Sequence, residues 1–203
     1  KEIIKEENLL SPEEVLVCPS AATALFIIST TLLSKDDHLI VIRPNYATNI
    51  ETPKAIDCEI TYIDVTFENN FQIDIEQIKS TIQTNTKLIS ITSPHNPTGV
   101  VFEENIIEKI IEIAEQQGIV VLVDETYRYL NFQTVLVPYY AAKSEQVISV
   151  GSLSKAHGVP GIRTGCKIAV VESKETEDEK KLNGAFAQQM SAASMFGVGP
   201  PKR

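Results

Sequence analysis

Short apolar runs rich in valine and isoleucine recur along the chain, and their spacing constrains the fold more than any other feature of the sequence. Such runs lie at residues 15–17, 39–42, 60–63, 88–92, 119–123 and 147–150. The run at 119–123 is apolar at every position, which is typical of a central strand covered on both faces. Because strands that alternate with helices usually form parallel sheets, the pattern predicts an α/β fold with a mostly parallel sheet.

The segments between these runs carry apolar residues at helical spacing. Residues 21–33, 75–82 and 103–117 repeat apolar side chains three and four positions apart, and Gly118 is placed to end the last helix. A further strand is predicted near residues 164–171, and a helix leaving the domain within 172–195. With 203 residues, 43% of them hydrophobic, the chain can bury one sizeable core. We therefore expect one globular domain.

Charge and cysteine content narrow the classes of partner. A net charge of −9 disfavours binding to nucleic acid or to an anionic membrane surface. The charged N-terminal segment has neither the apolar core of a secretory signal nor the length of a membrane span. The cysteines Cys18, Cys58 and Cys166 are far apart, so neither a zinc site nor a disulfide framework is expected. These features favour a cytoplasmic protein that binds no metal, nucleic acid or membrane.

Polar residues directly follow three of the predicted strands. Asp124 follows the run at 119–123, the sequence SPHNPTG at 93–99 follows the run at 88–92, and GSLSK at 151–155 follows the run at 147–150. Open α/β sheets bind ligands beyond the carboxyl ends of their strands. The functional site is therefore expected at this edge of the sheet.

Three motifs at this edge resemble those of the class I/II aminotransferases, which are pyridoxal phosphate enzymes of fold type I. They are SPHNPTG at 93–99, DETY at 124–127, and SLSK at 152–155 followed by GIRTG at 161–165. Their order and separations are those of the family, and the resemblance covers nearly the whole chain. It implies a three-layer αβα sandwich with a mostly parallel mixed sheet, the family's cofactor-binding large domain, and pyridoxal 5'-phosphate as cofactor.

The resemblance also implies roles for the reacting residues. Lys155 would carry the cofactor as a Schiff base and then act as a base that moves the proton. Asp124 would keep the pyridine nitrogen protonated, because a nearby carboxylate favours the charged form. Tyr127 and Asn96 would hydrogen-bond the phenolic oxygen, and Tyr46 would stack on the ring. Lys155, Asp124 and Tyr127 are thus the predicted catalytic residues.

The phosphate group is expected at a helix N-terminus, where free backbone N–H groups favour anions. The family usually has glycine where this chain has Ser20, and often glutamate where it has Thr23. The residues expected to hold the phosphate are Ser20, Ala21, Ala22, Ser152, Ser154 and Arg163. His95 and His157 lie within the motifs as polar loop residues, without an expected catalytic role.

The expected activity is transfer of an amino group between an L-amino acid and a 2-oxo acid by a homodimer. Family members have a preceding segment and a small C-terminal domain, so residues 1–203 are expected to be the large domain truncated at both ends, with 172–203 starting the helix towards the small domain. Alternatives are a β-lyase or cyclising synthase on the same scaffold, or a catalytically incomplete cofactor-binding fragment. A nucleotide-binding protein ranks lower, because no glycine-rich phosphate motif follows a predicted strand. The sequence does not name the amino donor or acceptor.

Overall fold

A single mixed sheet organises the computed structural model, which describes residues 14–130, 139–162 and 166–170. Its strands are β1 Val15–Cys18, β2 His38–Arg43, β3 Glu59–Asp64, β4 Thr86–Thr92, β5 Val120–Asp124, β6 Val147–Ser152 and β7 Cys166–Val170. They lie side by side in the order β1-β7-β6-β5-β4-β2-β3. Strands β2 to β6 pair in parallel, whereas β7 is antiparallel to both of its neighbours. The expected mostly parallel mixed sheet is confirmed.

Helices connect the parallel strands. They are α1 Ala21–Leu32, α2 Thr48–Ala55, α3 Ile75–Thr81 and α4 Glu104–Gln117, and short 3₁₀ turns lie at Phe67–Asn69, Arg128–Leu130, Tyr140–Ala142 and Pro160–Ile162. Helix α4 ends at Gly118, whose φ of 66° is the left-handed conformation that glycine adopts most readily. None of the helices within the described ranges is both long and apolar enough to cross a membrane.

The two faces of the sheet bury two separate apolar clusters. In β2, Ile40 and Ile42 pack into the cluster formed with α3 and α4, whereas Leu39 and Val41 pack into the cluster formed with α1. This division follows from the alternation of side chains along a strand. The sheet is thus the middle layer of the expected three-layer αβα sandwich.

The structure differs from the sequence-based prediction in a few places. Helix α2 was not predicted, since it contains Pro53 and buries only that residue and Asn49. The helix predicted at 21–33 ends one residue earlier, because Leu33 has an extended backbone. Strand β5 begins at Val120 and includes Asp124 as its last residue. The helix predicted within 172–195 lies outside the described residues.

Candidate active site

A pocket of about 240 Å³ opens at the carboxyl ends of the parallel strands. Asp124 and Ser152 are the last residues of the neighbouring strands β5 and β6, so the parallel register brings them to the same edge. The N-terminus of α1 and the loops that follow β2, β4, β5 and β6 supply the rest of the lining. This is the edge at which the sequence predicted a ligand site.

The pocket brings together the predicted cofactor-binding residues, apart from Arg163. Those that line it are Ser20, Ala21, Ala22, Tyr46, Asn96, Asp124, Tyr127, Ser152, Ser154 and Lys155. Arg163 lies outside the described residues. The lining also includes Leu25, Thr126 and Pro160, which sequence reasoning did not select.

Asp124 is a buried carboxylate at the floor of this pocket. Its side chain is only 4% exposed, and its Oδ1 accepts hydrogen bonds from the backbone N–H and the hydroxyl of Thr126, at 3.1 and 2.6 Å. Burial raises the pKa of Asp124, and the two bonds from Thr126 oppose this rise. Within the described residues no cation forms an ion pair with this carboxylate. Because a buried charge is costly unless it is paired, a positively charged ligand group would stabilise this carboxylate.

Lys155 lies in the turn that follows β6. The turn is held by the Ser154 N–H, which donates to Ser152 Oγ at 3.1 Å, and by the Gly158 N–H, which donates to the Lys155 carbonyl at 3.2 Å. The lysine is exposed and lines the pocket, and its side chain has no hydrogen bond or ion pair to another described side chain. Its amine is thus available to a ligand.

The N-terminus of α1 lines the pocket. Ser20 is the N-cap residue, and its hydroxyl oxygen accepts a hydrogen bond from the Thr23 N–H at 3.0 Å. The first-turn amides of Ala21 and Ala22 have no acceptor within the helix, as in any α-helix, and the helix dipole is positive at this end. A phosphate group would satisfy these amides.

The loop that carries Tyr46 is fixed by hydrogen bonds to the neighbouring Asn45. Asn45 Oδ1 accepts from the Tyr46 N–H at 2.7 Å, from Asn49 Nδ2 at 2.9 Å and from the Thr92 hydroxyl at 3.1 Å. Asn45 therefore ties the loop after β2 to β4 and fixes the backbone of Tyr46, whose side chain is 45% exposed.

The loop after β4 is fixed in a similar way around Asn96. The His95 N–H donates to the Val100 carbonyl and the Gly99 N–H donates to the His95 carbonyl, both at 2.7 Å. The His95 ring nitrogen Nδ1 lies 2.7 Å from the Thr98 hydroxyl. His95 is 2% exposed, and burial lowers its pKa. It is thus a buried structural residue, more enclosed than the polar loop residue that the sequence predicted.

A buried polar network joins Glu125 of the DETY motif to Arg128 and to residues of the neighbouring elements. Arg128 Nη1 donates to Glu125 Oε2 at 3.0 Å, and the guanidinium lies 3.7 Å from the ring centroid of Tyr139. Glu125 Oε1 accepts from the Ser149 hydroxyl at 2.6 Å and from the Tyr140 N–H at 3.1 Å. Burial raises the pKa of Glu125 to about 7. The network anchors the segment that carries Asp124 to the neighbouring strand β6.

Sequence reasoning missed this network and the Asn45 hydrogen bonds. The spacing of Glu125 and Arg128 was the available signal, because oppositely charged residues three positions apart can pair in a helical turn. Asn45 gave no such signal, since its partners Asn49 and Thr92 belong to α2 and β4.

The lining residues fit pyridoxal phosphate, the cofactor that the motifs implied. A buried carboxylate without a described cation partner suits a protonated ring nitrogen, and a lysine amine without an acidic partner among the described residues suits the aldehyde. The capped N-terminus of α1 suits the phosphate. The pocket thus offers complementary groups for each polar part of this molecule.

Comparison with known proteins agrees with this chemistry. The family model described as aminotransferase class I and II matches residues 4–200. The chain is 30% identical over 166 residues to an aspartate aminotransferase of Bacillus subtilis, covering 79% of this chain and 42% of the relative. It is 30% identical over 207 residues to an aspartate aminotransferase of Musicola paradisiaca, covering 97% of this chain and 52% of the relative.

Solved structures show the same architecture. A PLP-dependent aminotransferase from Streptococcus suis superposes with a TM-score of 0.83 at 29% identity, covering 94% of this chain and 49% of that one. An alanine aminotransferase from Pyrococcus furiosus superposes with a TM-score of 0.82 at 26% identity, covering 95% and 49%. The chain spans about half the length of these relatives. Its motifs, its fold and the match over residues 4–200 show that the chain belongs to the aminotransferase class I and II family.

Proposed function

We propose that the protein is a pyridoxal-phosphate-dependent aminotransferase that moves an amino group between an L-amino acid and a 2-oxo acid. The observation that carries the proposal is that Asp124 and Lys155 line the same pocket. These residues differ in burial, since the carboxylate is enclosed and the amine is accessible. The pair suits a small ring that is held at its nitrogen and reacts at its aldehyde.

Each residue that the motifs implied for the pocket has a proposed task. The Lys155 amine would hold the cofactor covalently and would exchange a proton with the substrate. Asp124 keeps the proton on the ring nitrogen, and Tyr127 and Asn96 donate to the phenolic oxygen. When bound, pyridoxal phosphate supplies an electron sink for charge that develops on the substrate's α-carbon.

The remaining residues orient the ring and the phosphate. Tyr46, which lines the pocket, would stack on the ring. The phosphate would be held by five residues that line the pocket, Ser20, Ala21, Ala22, Ser152 and Ser154, and by Arg163, which lies outside the described residues. Their backbone N–H groups, hydroxyls and guanidinium are all hydrogen-bond donors, which matches a dianion.

The family relatives support the substrate class without naming the donor for this chain. The relatives from B. subtilis and M. paradisiaca are named aspartate aminotransferase, and the P. furiosus structure is of an alanine aminotransferase. We accordingly propose amino acids and 2-oxo acids as substrates. On the same family resemblance we propose a homodimer in the cytoplasm. We likewise propose that residues 1–203 belong to the cofactor-binding large domain, with 172–203 starting the helix towards a small domain.

The direct test is a transamination assay with the purified chain. Protein loaded with pyridoxal phosphate is mixed with L-aspartate or L-alanine and 2-oxoglutarate, and the new 2-oxo acid and the pyridoxamine form of the cofactor are measured. We expect both products, with a loss of about 10²- to 10⁴-fold or more in Lys155→Arg, which keeps the positive charge but cannot serve as the base.

Two results would contradict the proposal. Release of ammonia with the 2-oxo acid, in place of the pyridoxamine form, would indicate a lyase. Absence of any pyridoxal phosphate binding would remove the basis for both activities.

A further inference from the structure

Thr126 makes two hydrogen bonds to the same oxygen of Asp124. Its hydroxyl donates to Asp124 Oδ1 at 2.6 Å, and its backbone N–H donates to that oxygen at 3.1 Å. Thr126 is 6% exposed and lines the pocket. The contact therefore lies inside the proposed cofactor site, in a place largely shielded from water.

The distribution of these bonds leaves the second carboxylate oxygen for a ligand. An O–H···O distance of 2.6 Å lies in the range of hydrogen bonds to a charged acceptor. Oδ2 has no hydrogen-bond partner among the described residues. A ring N–H entering the pocket would thus meet an oriented oxygen.

None of the described ionisable side chains near Asp124 holds its carboxylate in the way that Thr126 does. The groups that share its pocket or follow it in the chain are those of Lys155, Tyr46, Tyr127 and Glu125. None of them hydrogen-bonds the Asp124 carboxylate in the part of the chain that the structure describes. Its partners on the adjoining strands, Thr92 on β4 and Val150 on β6, carry no charge.

We propose that Thr126 is a positioning residue, whose hydroxyl holds Oδ1 of Asp124 so that the carboxylate stays charged and presents Oδ2 to the ring nitrogen of bound pyridoxal phosphate. This inference rests on the proposed function. It assigns a specific task to a side chain that lines the pocket without being among the motif residues expected to touch the cofactor.

The physical reason is the burial of Asp124. Burial raises the pKa of Asp124, and the hydrogen bonds from Thr126 oppose part of that rise. Without the hydroxyl, the carboxyl group would keep its proton at higher pH. A neutral acid cannot stabilise a protonated ring nitrogen as a carboxylate does. A simple turn at the strand end needs only the backbone N–H bond, so the hydroxyl is the part with a functional consequence.

The test compares Thr126→Val with Thr126→Ser. Valine keeps the branched shape of threonine without the hydroxyl, and serine keeps the hydroxyl. The first readout is the carboxyl pKa of Asp124 in the cofactor-free protein, measured by ¹³C NMR. The second is the dissociation constant of pyridoxal phosphate as a function of pH.

We expect the valine variant to raise the Asp124 pKa by about one unit, because a hydrogen bond to the charged form is lost. The acidic limb of the cofactor-binding profile should move upward by the same amount. The serine variant should match the wild type in both readouts. Thr126→Ala is a second variant without the hydroxyl, in case valine disturbs folding.

The outcomes separate this inference from the proposed function. If the wild type binds pyridoxal phosphate and the valine and alanine variants titrate as it does, the role of Thr126 is refuted alone. The same holds if the serine variant behaves like the valine variant. If the wild type binds no pyridoxal phosphate at any pH, the proposed function and the inference both fail.

Discussion

Replacing Gly151 with alanine is expected to destabilise the strand that carries Ser152. A Cβ atom at position 151 would lie 2.7 Å from the Tyr139 hydroxyl oxygen and 3.3 Å from two carbons of its ring. Tyr139 cannot easily move away, because it is 4% exposed and its ring packs against the Arg128 guanidinium at 3.7 Å. Overpacking of this kind in a buried region typically costs about 1–3 kcal/mol. We expect a loss of that size in the free energy of unfolding.

The assay is urea unfolding followed by circular dichroism. Gly161→Ala is the matched control, because its Cβ would have no neighbour within 4 Å and its φ is not positive. Combining Gly151→Ala with Tyr139→Phe removes the closest contact, so the double variant should be less destabilised than the sum of the two single changes. If Gly151→Ala and Gly161→Ala have equal stability, or if the two changes at 139 and 151 are additive, the packing argument is refuted.

Two further predictions concern Glu125 and Asn45, which stabilise segments of the pocket without lining it. Burial raises the pKa of Glu125 from 4.5 to about 7, so the folded state binds this proton more tightly than the unfolded state. Between pH 4.5 and 7 the free energy of unfolding of the wild type should therefore fall by about 3 kcal/mol relative to that of Glu125→Gln, as measured by urea unfolding across that range. A difference between the two proteins that does not change with pH would contradict this. Asn45→Ala should lower the free energy of unfolding by about 1–3 kcal/mol, because the donors on Tyr46, Asn49 and Thr92 lose their acceptor. It should also weaken pyridoxal phosphate binding, measured by fluorescence titration. Unchanged cofactor affinity would show that the loop does not depend on Asn45.

The sheet was predictable because its strands are continuous Val- and Ile-rich runs. The fully apolar run at 119–123 corresponds to the central strand β5, and Gly118 ends α4 as its lack of a side chain suggested. Helix α2 was not predictable in this way. Its sequence lacks an apolar stripe and contains Pro53, so its position depends on packing beside α1.

The candidate site was predictable wherever a motif residue follows a strand. Asp124 and Lys155 were selected because each follows an apolar run, and parallel strands bring their carboxyl ends to one edge. Thr126 and Arg128 were missed for a physical reason. Their importance comes from hydrogen bonds and burial in three dimensions; the sequence does not reveal these for Thr126, and for Arg128 it offers only the three-residue spacing from Glu125.

The most direct test of the account is a crystal structure of the protein grown with pyridoxal phosphate. We expect continuous density from the Lys155 Nζ to the cofactor's aldehyde carbon, with the ring nitrogen about 2.7–2.9 Å from Asp124 Oδ2. A cofactor bound with its nitrogen away from Asp124, or attached to another lysine, would contradict it.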